Sequence, residues 1–372
     1  MIRANTNLLK GRELALSISQ NSQYSKEESS SSWFVSQGDA NIAIWANDSS
    51  IANGCITAQL ADELSNFLNK AIASSAERII LFLDSAGVEL SQGWRAMKHA
   101  ASLIKQLLSI RIKHAITTVA VLGDTMGCYG GAFLVASTCQ YIIGTKDGLC
   151  GVSGRKVIEH LDHATEEMNR LFYQAEYRLI NQELFCILPD PQEERRNLLL
   201  MLEHHPLTRD ELQQEFTTLQ TSAKKDRLAL QDKTYEVVPA NNLLGFPQSK
   251  ATGCDELLYF IEQLMPYLDS DSELPLIMGN CEQEFSFINE QKGFSRYLSL
   301  CIKLLRYLSE QGRKVSIKVD QQGSGATFIA VSMMADNLII EDGSLIHPLP
   351  VKAMNLFIGQ QSIKGDEWKY NN

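Results

Sequence analysis

The sequence predicts an α/β protein built from two tandem repeats of one strand, turn and helix pattern. Short apolar stretches that suit buried strands alternate with longer stretches in which apolar residues recur at helical spacing. Glycine-containing turns also recur in each half at nearly equal separations, since Gly87 and Gly131 lie almost as far apart as Gly279 and Gly325. Such alternation implies parallel strands joined by right-handed crossovers.

Length and composition are those of a globular protein with more than one domain. The chain has 372 residues, which is enough for two hydrophobic cores. Hydrophobic residues make up 44% of the chain and charged residues 21%, both ordinary values. The net charge of -10 disfavours a nucleic-acid binder, because phosphate contacts need a basic face. We therefore expect no nucleic-acid partner.

The apolar stretches give no sign of membrane targeting. The amino-terminal residues lack the long apolar core and the small-residue cleavage site of a signal peptide. No apolar run is long enough to span a bilayer. We therefore expect a cytoplasmic protein without a membrane partner.

The cysteine pattern favours reduced, buried thiols. The chain has 8 cysteines, none of them in a CxxC pair, and most lie in apolar surroundings. This pattern disfavours a zinc site, so that we expect no metal ligands.

The first half of the chain begins with a polar segment and continues with the first repeat. Residues 1–40 are expected to be flexible, because two glutamates and four serines follow one another at 27–32. From residue 41 onward the apolar spacing becomes regular. The predicted elements are strands at 42–45, 79–83, 116–122 and 141–143, and helices at 58–72, at 94–108 and from Gly131 onward.

The second half consists of a polar helical region followed by the second repeat. Residues 155–225 are predicted to be mostly helical, and residues 224–227 to form a solvated turn. The second repeat has predicted strands at 274–278, 315–319 and 338–340, and helices at 294–308 and after Gly325. We therefore expect three parts: a flexible segment at 1–40, one domain at 41–225 and a shorter one at 226–372.

The most informative turn contains Gly130 and Gly131, where a strand leads into a helix. Without a Cβ, glycine lets the backbone approach a ligand closely. The first N–H groups of a helix have no partner inside it, and such donors stabilise negative charge that develops on a carbonyl oxygen. The sequence therefore predicts an oxyanion hole, although glycines that serve only tight packing are the alternative.

The candidate site residues flank these turns in both repeats. Arg155 and Lys156 are candidates for contacts with a phosphate group, with solvated surface charge as the alternative. Glu159 and His160 join Tyr129, Cys128 and Ser153 as candidate proton donors. The predicted catalytic positions are Gly87, Gly130, Gly131, Gly325, Ala326, Tyr129 and Ser153. The predicted substrate-binding positions are Ala86, Cys128, Gly154, Arg155, Lys156 and Asn280.

Several motifs resemble those of a known family. LFLDSAGVEL (81–90), GDTMGCYGGAFLVASTCQYII (123–143) and GLCGVSGRKVIEH (148–160) resemble the carboxyltransferase branch of the crotonase superfamily, in particular the β subunit of biotin-independent malonate decarboxylase. LPLIMGN (274–280) and QGSGATFIAVSMMADNLIIEDGSLIH (322–347) resemble the γ subunit of that enzyme. The resemblance implies two tandem crotonase-like domains, each a ββα superhelix, with the two subunits fused in one chain.

The resemblance also implies an activity. A malonyl thioester, carried by coenzyme A or by the phosphopantetheine arm of an acyl carrier protein, would lose CO2 to give the acetyl thioester. The enolate oxygen would lie near Gly87 and Gly131, and the leaving carboxylate near Gly325 and Ala326. No covalently bound cofactor is implied. The expected partners are malonyl-CoA or the malonyl carrier protein, together with further copies of the chain in a homodimer or higher oligomer.

Three other functions remain open from the sequence. A carboxyltransferase of the same fold would need a biotinylated partner, and the chain has no biotin-carrier tetrapeptide. A non-catalytic subunit would explain Arg155, which replaces the proline of the family, and the shortened second repeat. Crotonase-type hydration would need two carboxylates beside the glycine turns, for which only Glu89 and Glu159 are available.

Overall fold

The protein is described here by a computed structural model. It describes residues 6–19, 25–29, 31–37, 40–162, 165–230, 244–245, 251–270, 272–279, 281–320, 322–350 and 353–354. The chain divides into two compact units. Unit 1 comprises the described parts of Met1–Glu89, Ser102–Gly154 and Arg170–Pro206, and unit 2 those of Leu90–Ala101, Arg155–Asn169 and Leu207–Asn372.

The strands and helices alternate along most of the chain. The strands are β1 (Ser25–Ser29), β2 (Ser32–Gln37), β3 (Ala40–Ala46), β4 (Arg78–Leu83), β5 (Thr117–Leu122), β6 (Cys128–Tyr129), β7 (Tyr141–Gly144), β8 (Cys150–Gly151), β9 (Cys186–Ile187), β10 (Ile277–Met278), β11 (Ser316–Val319), β12 (Gln322–Ser324), β13 (Asn337–Ile340) and β14 (Leu345–His347). The helices are α1 (Thr6–Ser19), α2 (Ala58–Ala73), α3 (Trp94–Lys113), α4 (Gly130–Ser137), α5 (Arg155–Leu161), α6 (Glu166–Tyr173), α7 (Ala175–Ile180), α8 (Gln192–Met201), α9 (Arg209–Leu230), α10 (Cys254–Leu264), α11 (Phe287–Gln291), α12 (Phe294–Glu310) and α13 (Gly325–Ala330).

Unit 1 is organised around a mostly parallel sheet with the strand order β1-β2-β3-β4-β5-β7-β9. The pairs β1–β2 and β2–β3 are antiparallel, and the remaining neighbours are parallel. Every residue of β5 is buried, as is nearly all of β4. Continuous apolar burial is typical of parallel strands that are covered on both faces.

A second, short ladder lies at the carboxyl ends of these strands. Here β6 pairs with β8 in parallel, Ser85 pairs with Cys128, and Ile56 pairs with Val88. Each repeat of the chain therefore contributes one strand to the main sheet and one short extended segment to the second ladder, followed by a helix. This is the ββα repeat that the family resemblance implies.

Unit 2 repeats the same order of elements. Its main sheet has the order β10-β11-β13, and Gly245 pairs with Met278 at its edge. Its short ladder contains the parallel pair β12–β14, with further pairs between Cys281 and Gly323 and between Thr252 and Gln283. The predicted α/β class and the tandem ββα repeat are confirmed.

The amino-terminal segment needs a correction where the structure describes it. Leu14, Ala15 and Ile18 of α1 are buried in one hydrophobic core with Trp33 and Val35 of β2. The expectation of flexibility rested on the serine-rich run. The signal for α1 was the spacing of Leu14 and Ile18, which are four residues apart and so share one face of a helix. Residues 1–5, 20–24, 30 and 38–39 lie outside the described ranges.

The polar region contains a second correction. Residues 224–227, expected to form a turn, belong to α9, which ends at Leu230. Lysine and arginine are good helix formers, so a run of charge does not by itself end a helix. The compact units are not continuous in sequence, because unit 2 includes residues 90–101 and 155–169 besides those from 207 onward, and the expected domain boundary at 225/226 stays a prediction.

None of the helices among the described residues is long and apolar enough to cross a membrane.

Candidate active site

The first candidate turn follows β4, and its donors are mostly used within the protein. The Ala86 N–H donates to Asn53 O at 3.1 Å, and the Gly87 N–H donates to Ser85 Oγ at 3.1 Å. Gly87 has a φ of +121°, which favours glycine. Its predicted role as a donor therefore does not fit, because the N–H already has an acceptor.

Val88 is the residue of this turn whose N–H remains available. The backbone groups on either side of it bond to Ile56, at 2.8 Å from Ile56 N to Gly87 O and at 3.2 Å from Glu89 N to Ile56 O. In such a parallel bridge the N–H of Val88 points away from Ile56. Among the described residues it has no acceptor. Sequence reasoning missed Val88 because a backbone N–H carries no side-chain signature.

The second candidate turn leads from β5 through β6 into α4. Gly127 and Gly130 have φ values of +86° and +55°, so both need the conformational freedom of glycine. Gly131 is buried in the first turn of α4, and within the described part of the chain its N–H has no acceptor. This N–H is therefore available to a ligand, and the catalytic role of Gly131 stays a prediction.

The two turns lie against each other. A Cβ added at Gly130 would lie 3.7 Å from the Cα of Gly87, and one added at Gly87 would lie 3.4 Å from the backbone O of Tyr129. Both distances are ordinary van der Waals contacts, so the two turns are direct neighbours. Val88 and Gly131 each follow directly after a glycine of this contact, at positions 87 and 130.

A strained loop supports the first turn. Ala52, Asn53 and Gly54 have consecutive φ values of +47°, +54° and +67°. A Cβ at Gly54 would lie only 2.1 Å from Asp84 O, so the loop is pressed against the residue that precedes the turn. Non-glycine residues in this conformation are costly and cluster at functional sites.

A buried polar chain lies behind Tyr129 and Ser153. The Tyr129 ring packs on that of Tyr173 with centroids 5.9 Å apart, and the Tyr173 hydroxyl donates to Ser153 O at 2.8 Å. The Arg178 guanidinium lies 5.0 Å from the centroid of the Tyr173 ring. Its Nη1 donates to both oxygens of the Glu183 carboxylate, at 2.9 and 3.0 Å. Both charged side chains are fully buried.

These three residues, Tyr173, Arg178 and Glu183, were absent from the sequence-based candidates. They lie in a polar helical stretch where nothing distinguishes a buried arginine from an exposed one. A buried ion pair of this kind fixes geometry, because removing one partner leaves the other charge uncompensated. It therefore holds Tyr173 under the Tyr129 ring and under the turn that contains Ser153.

Cys128 does not supply a reactive thiolate. It is fully buried in β6, directly opposite Cys150 of β8. Burial raises the pKa of the Cys128 thiol well above its ordinary value, with smaller contributions from Cys150 and Asp84. The thiol is therefore protonated at neutral pH and packs as a small apolar group.

Several predicted residues belong to unit 2 rather than to the unit that contains Gly131. Arg155 and Lys156 begin α5, and Arg155 Nε lies 3.5 Å from Glu159 Oε1, so that the arginine pairs within its own helix. His160 lies in the same helix. Gly154 is the last residue of that stretch of unit 1. Asn280 lies outside the described residues.

The equivalent turn of unit 2 is closed by its own side chains. Val88 of unit 1 corresponds to Gln283 of unit 2, because each forms the same kind of parallel bridge in its short ladder. Gly131 corresponds to Ala326, since each lies three residues after the next bridged residue, Cys128 or Gly323. The Ala326 N–H donates to Gln283 Oε1 at 2.7 Å, and the Gln283 N–H donates to Ser324 Oγ at 3.1 Å. Both donors are therefore occupied. The predicted role of Ala326 as a donor to a substrate does not fit this arrangement, and the role of Gly325 stays a prediction.

No cluster of histidine, cysteine, aspartate and glutamate in the described ranges could hold a metal ion.

The sequence matches no family model and no curated protein. Solved structures with a similar fold include a Pseudomonas malonate decarboxylase hetero-tetramer in complex with malonate (19% identity, 45% of this chain, 64% of that chain, TM-score 0.41). They also include a Pseudomonas malonate decarboxylase hetero-dimer (19%, 51% of this chain, 83% of that chain, 0.44) and the transcarboxylase 12S hexamer with hydrolysed methylmalonyl-coenzyme A bound (12%, 86% of this chain, 69% of that chain, 0.41). The chain thus spans less than two thirds of the hetero-tetramer chain.

Proposed function

We propose that unit 1 decarboxylates a malonyl thioester to the acetyl thioester through an enolate held by backbone donors. The observation that carries the proposal is the pair of available N–H groups, from Val88 and Gly131, on two turns in contact. The sequence motifs at 81–90 and 123–143, which resemble the carboxyltransferase branch of the crotonase superfamily, supply the substrate class.

The role of the two donors follows from the charge that develops. When the bond between the α-carbon and CO2 breaks, its electron pair enters the carbonyl system and the thioester oxygen becomes an enolate oxygen. Hydrogen bonds from Val88 and Gly131 strengthen as this charge grows. Each donor contributes about 3–4 kcal/mol to such a transition state. The reaction ends when a proton reaches the α-carbon, for which Tyr129 and Ser153 remain candidates.

The carrier and the assembly are part of the same proposal. Coenzyme A or the phosphopantetheine arm of an acyl carrier protein would present the thioester, without a covalently bound cofactor. We propose a homodimer or higher oligomer as the working assembly.

The first test is incubation of the full chain with malonyl-CoA and with malonyl-loaded acyl carrier protein, without biotin or ATP. Mass spectrometry of each thioester should show conversion to the acetyl form by loss of CO2. Conversion of one substrate and not the other would identify the carrier. If both stay intact, decarboxylation is excluded; turnover that appears only with an added carboxyl acceptor would instead favour carboxyl transfer.

Two substitutions at Gly131 distinguish the loss of the N–H donor from the addition of a side chain. Gly131→Pro removes the N–H at a helical position where proline is tolerated. Gly131→Ala keeps the N–H and adds the side chain that unit 2 has at Ala326. We expect the proline variant to lose about 100- to 1,000-fold in kcat. The alanine variant should stay much closer to the wild type. Equal losses in both would contradict a role for the donor.

A further inference from the structure

Asp84 is a buried carboxylate that joins both turns of the candidate site. Its side chain is fully buried between β4 and the first turn. Its Oδ1 accepts the N–H of Met126 at 2.8 Å and the N–H of Gly127 at 3.0 Å. One oxygen atom therefore fixes the backbone at Met126 and Gly127, and Gly127 lies four residues before the Gly131 donor.

The backbone of Asp84 is held just as firmly. The Asn47 carboxamide accepts from the Asp84 N–H at 2.9 Å and donates to Asp84 O at 2.8 Å. Gly123 leaves room for the side chain, because a Cβ there would lie 2.2 Å from the Cβ of Asp84. The residue is therefore fixed at both its backbone and its carboxylate.

This arrangement is costly for stability, which argues for a functional reason. Burial raises the pKa of Asp84, and this effect outweighs the lowering by hydrogen bonds from Met126, Ser49 and Gly127. Within the described ranges, the ionisable groups that act on this carboxylate electrostatically are Asp124 and Cys128, and neither is a cation. An ionised, buried carboxylate without a cationic partner lowers stability.

We propose that Asp84 is a positioning residue that sets the spacing between the Val88 and Gly131 donors, an inference that rests on the proposed function. Asp84 lies four residues before Val88, and the amides that it binds lie four and five residues before Gly131. Its backbone leads into the turn that contains Val88, and its carboxylate holds the turn that leads to Gly131. Asp84 thus fixes the distance between the two donors. It does not touch the reacting atoms.

Two substitutions of Asp84 and one matched control test this role. Asp84→Ala removes the acceptor of both amides, and Asp84→Asn keeps an amide oxygen in the same position. Asp124→Asn is the control, since this carboxylate lies on the same turn but is partly exposed and paired with Lys10 at 2.6 Å. Misplacing a catalytic group by about 1 Å costs about 100-fold in rate, so we expect a loss of that order in kcat for Asp84→Ala. Asp84→Asn should restore most of kcat, and Asp124→Asn should equal the wild type.

Hydrogen exchange separates positioning from unfolding. In Asp84→Ala the amides of Met126 and Gly127 should lose protection, while the amides of β4 and β5 remain protected as in the wild type. A folded Asp84→Ala variant with wild-type kcat would overturn the role of Asp84 and leave the proposed function intact. A wild-type protein that releases no CO2 would overturn both proposals, and this result is distinguishable from the former.

Discussion

At the scale of single residues, the two donors of the candidate hole are set by backbone conformation rather than by side-chain chemistry. The need for glycine at 87 and at 130 could be inferred from the sequence, and both residues have the positive φ that few other residues tolerate. Which N–H of the first turn is the available donor could not be inferred from the sequence. Whether the N–H of Gly87 or that of Val88 is available depends on the Ser85 hydroxyl, and the sequence does not reveal the rotamer of that serine.

Asp84 also gives a prediction about stability that is independent of turnover. In the folded protein its pKa lies above the ordinary value of 3.8. As pH rises from this value, the carboxyl group ionises in the unfolded chain first, which favours unfolding. The cost is complete once pH exceeds the raised pKa. Asp84→Asn lacks this cost, so its free energy of unfolding relative to the wild type should increase between acidic and neutral pH.

Urea unfolding of both proteins at several pH values measures this difference. A difference that does not vary with pH would contradict the assigned cost of ionisation.

At the scale of elements, the equivalent turns of the two units differ in which acceptors they contain. Regular elements were predicted well, since β5, α12 and β11 lie within a few residues of their predicted positions. Their apolar spacing is local information. The bond from Ala326 to Gln283 joins residues 43 positions apart in the chain, and no local pattern reveals it.

Gln283 should therefore contribute to stability rather than to turnover. Gln283→Ala leaves the buried Ala326 N–H without an acceptor, which should lower the free energy of unfolding by about 1–3 kcal/mol. Gln283→Leu fills a similar volume without an acceptor oxygen, so the loss that it shares with the alanine variant reports the hydrogen bond rather than a cavity. Turnover by unit 1 should not change in the alanine variant once the protein is folded. Unchanged stability in thermal and urea unfolding would count against the structural role.

At the scale of the whole molecule, the sequence predicted the repeat but not the course of the compact units. The order of strands and helices follows from spacing. The inclusion of residues 90–101 and 155–169 in unit 2 follows from packing between distant segments. The Arg178–Glu183 ion pair of unit 1 was equally unpredictable, because charged residues in a polar helical stretch are usually solvated.

The thiols of both units should be unreactive in the native protein. Burial raises the pKa of Cys139 and of Cys281 to about 12, and that of the half-buried Cys55 to about 11. Reaction needs the thiolate, so labelling with a disulfide reagent should be slow at neutral pH and rapid after unfolding. Cys55 and Cys186, the half-buried pair, should react first. Fast native labelling of Cys139 or Cys281 would contradict this burial.

The closed turn of unit 2 has a consequence for how the repeat can change by mutation. One acceptor there is the Gln283 amide and the other is the Ser324 hydroxyl, and each occupies a different N–H. Loss of either side chain alone frees one donor and leaves its neighbour occupied. A turn with two open donors could therefore be reached by single substitutions only through an intermediate that leaves one buried N–H without an acceptor and is less stable. The closed turn of unit 2 thus resists stepwise change.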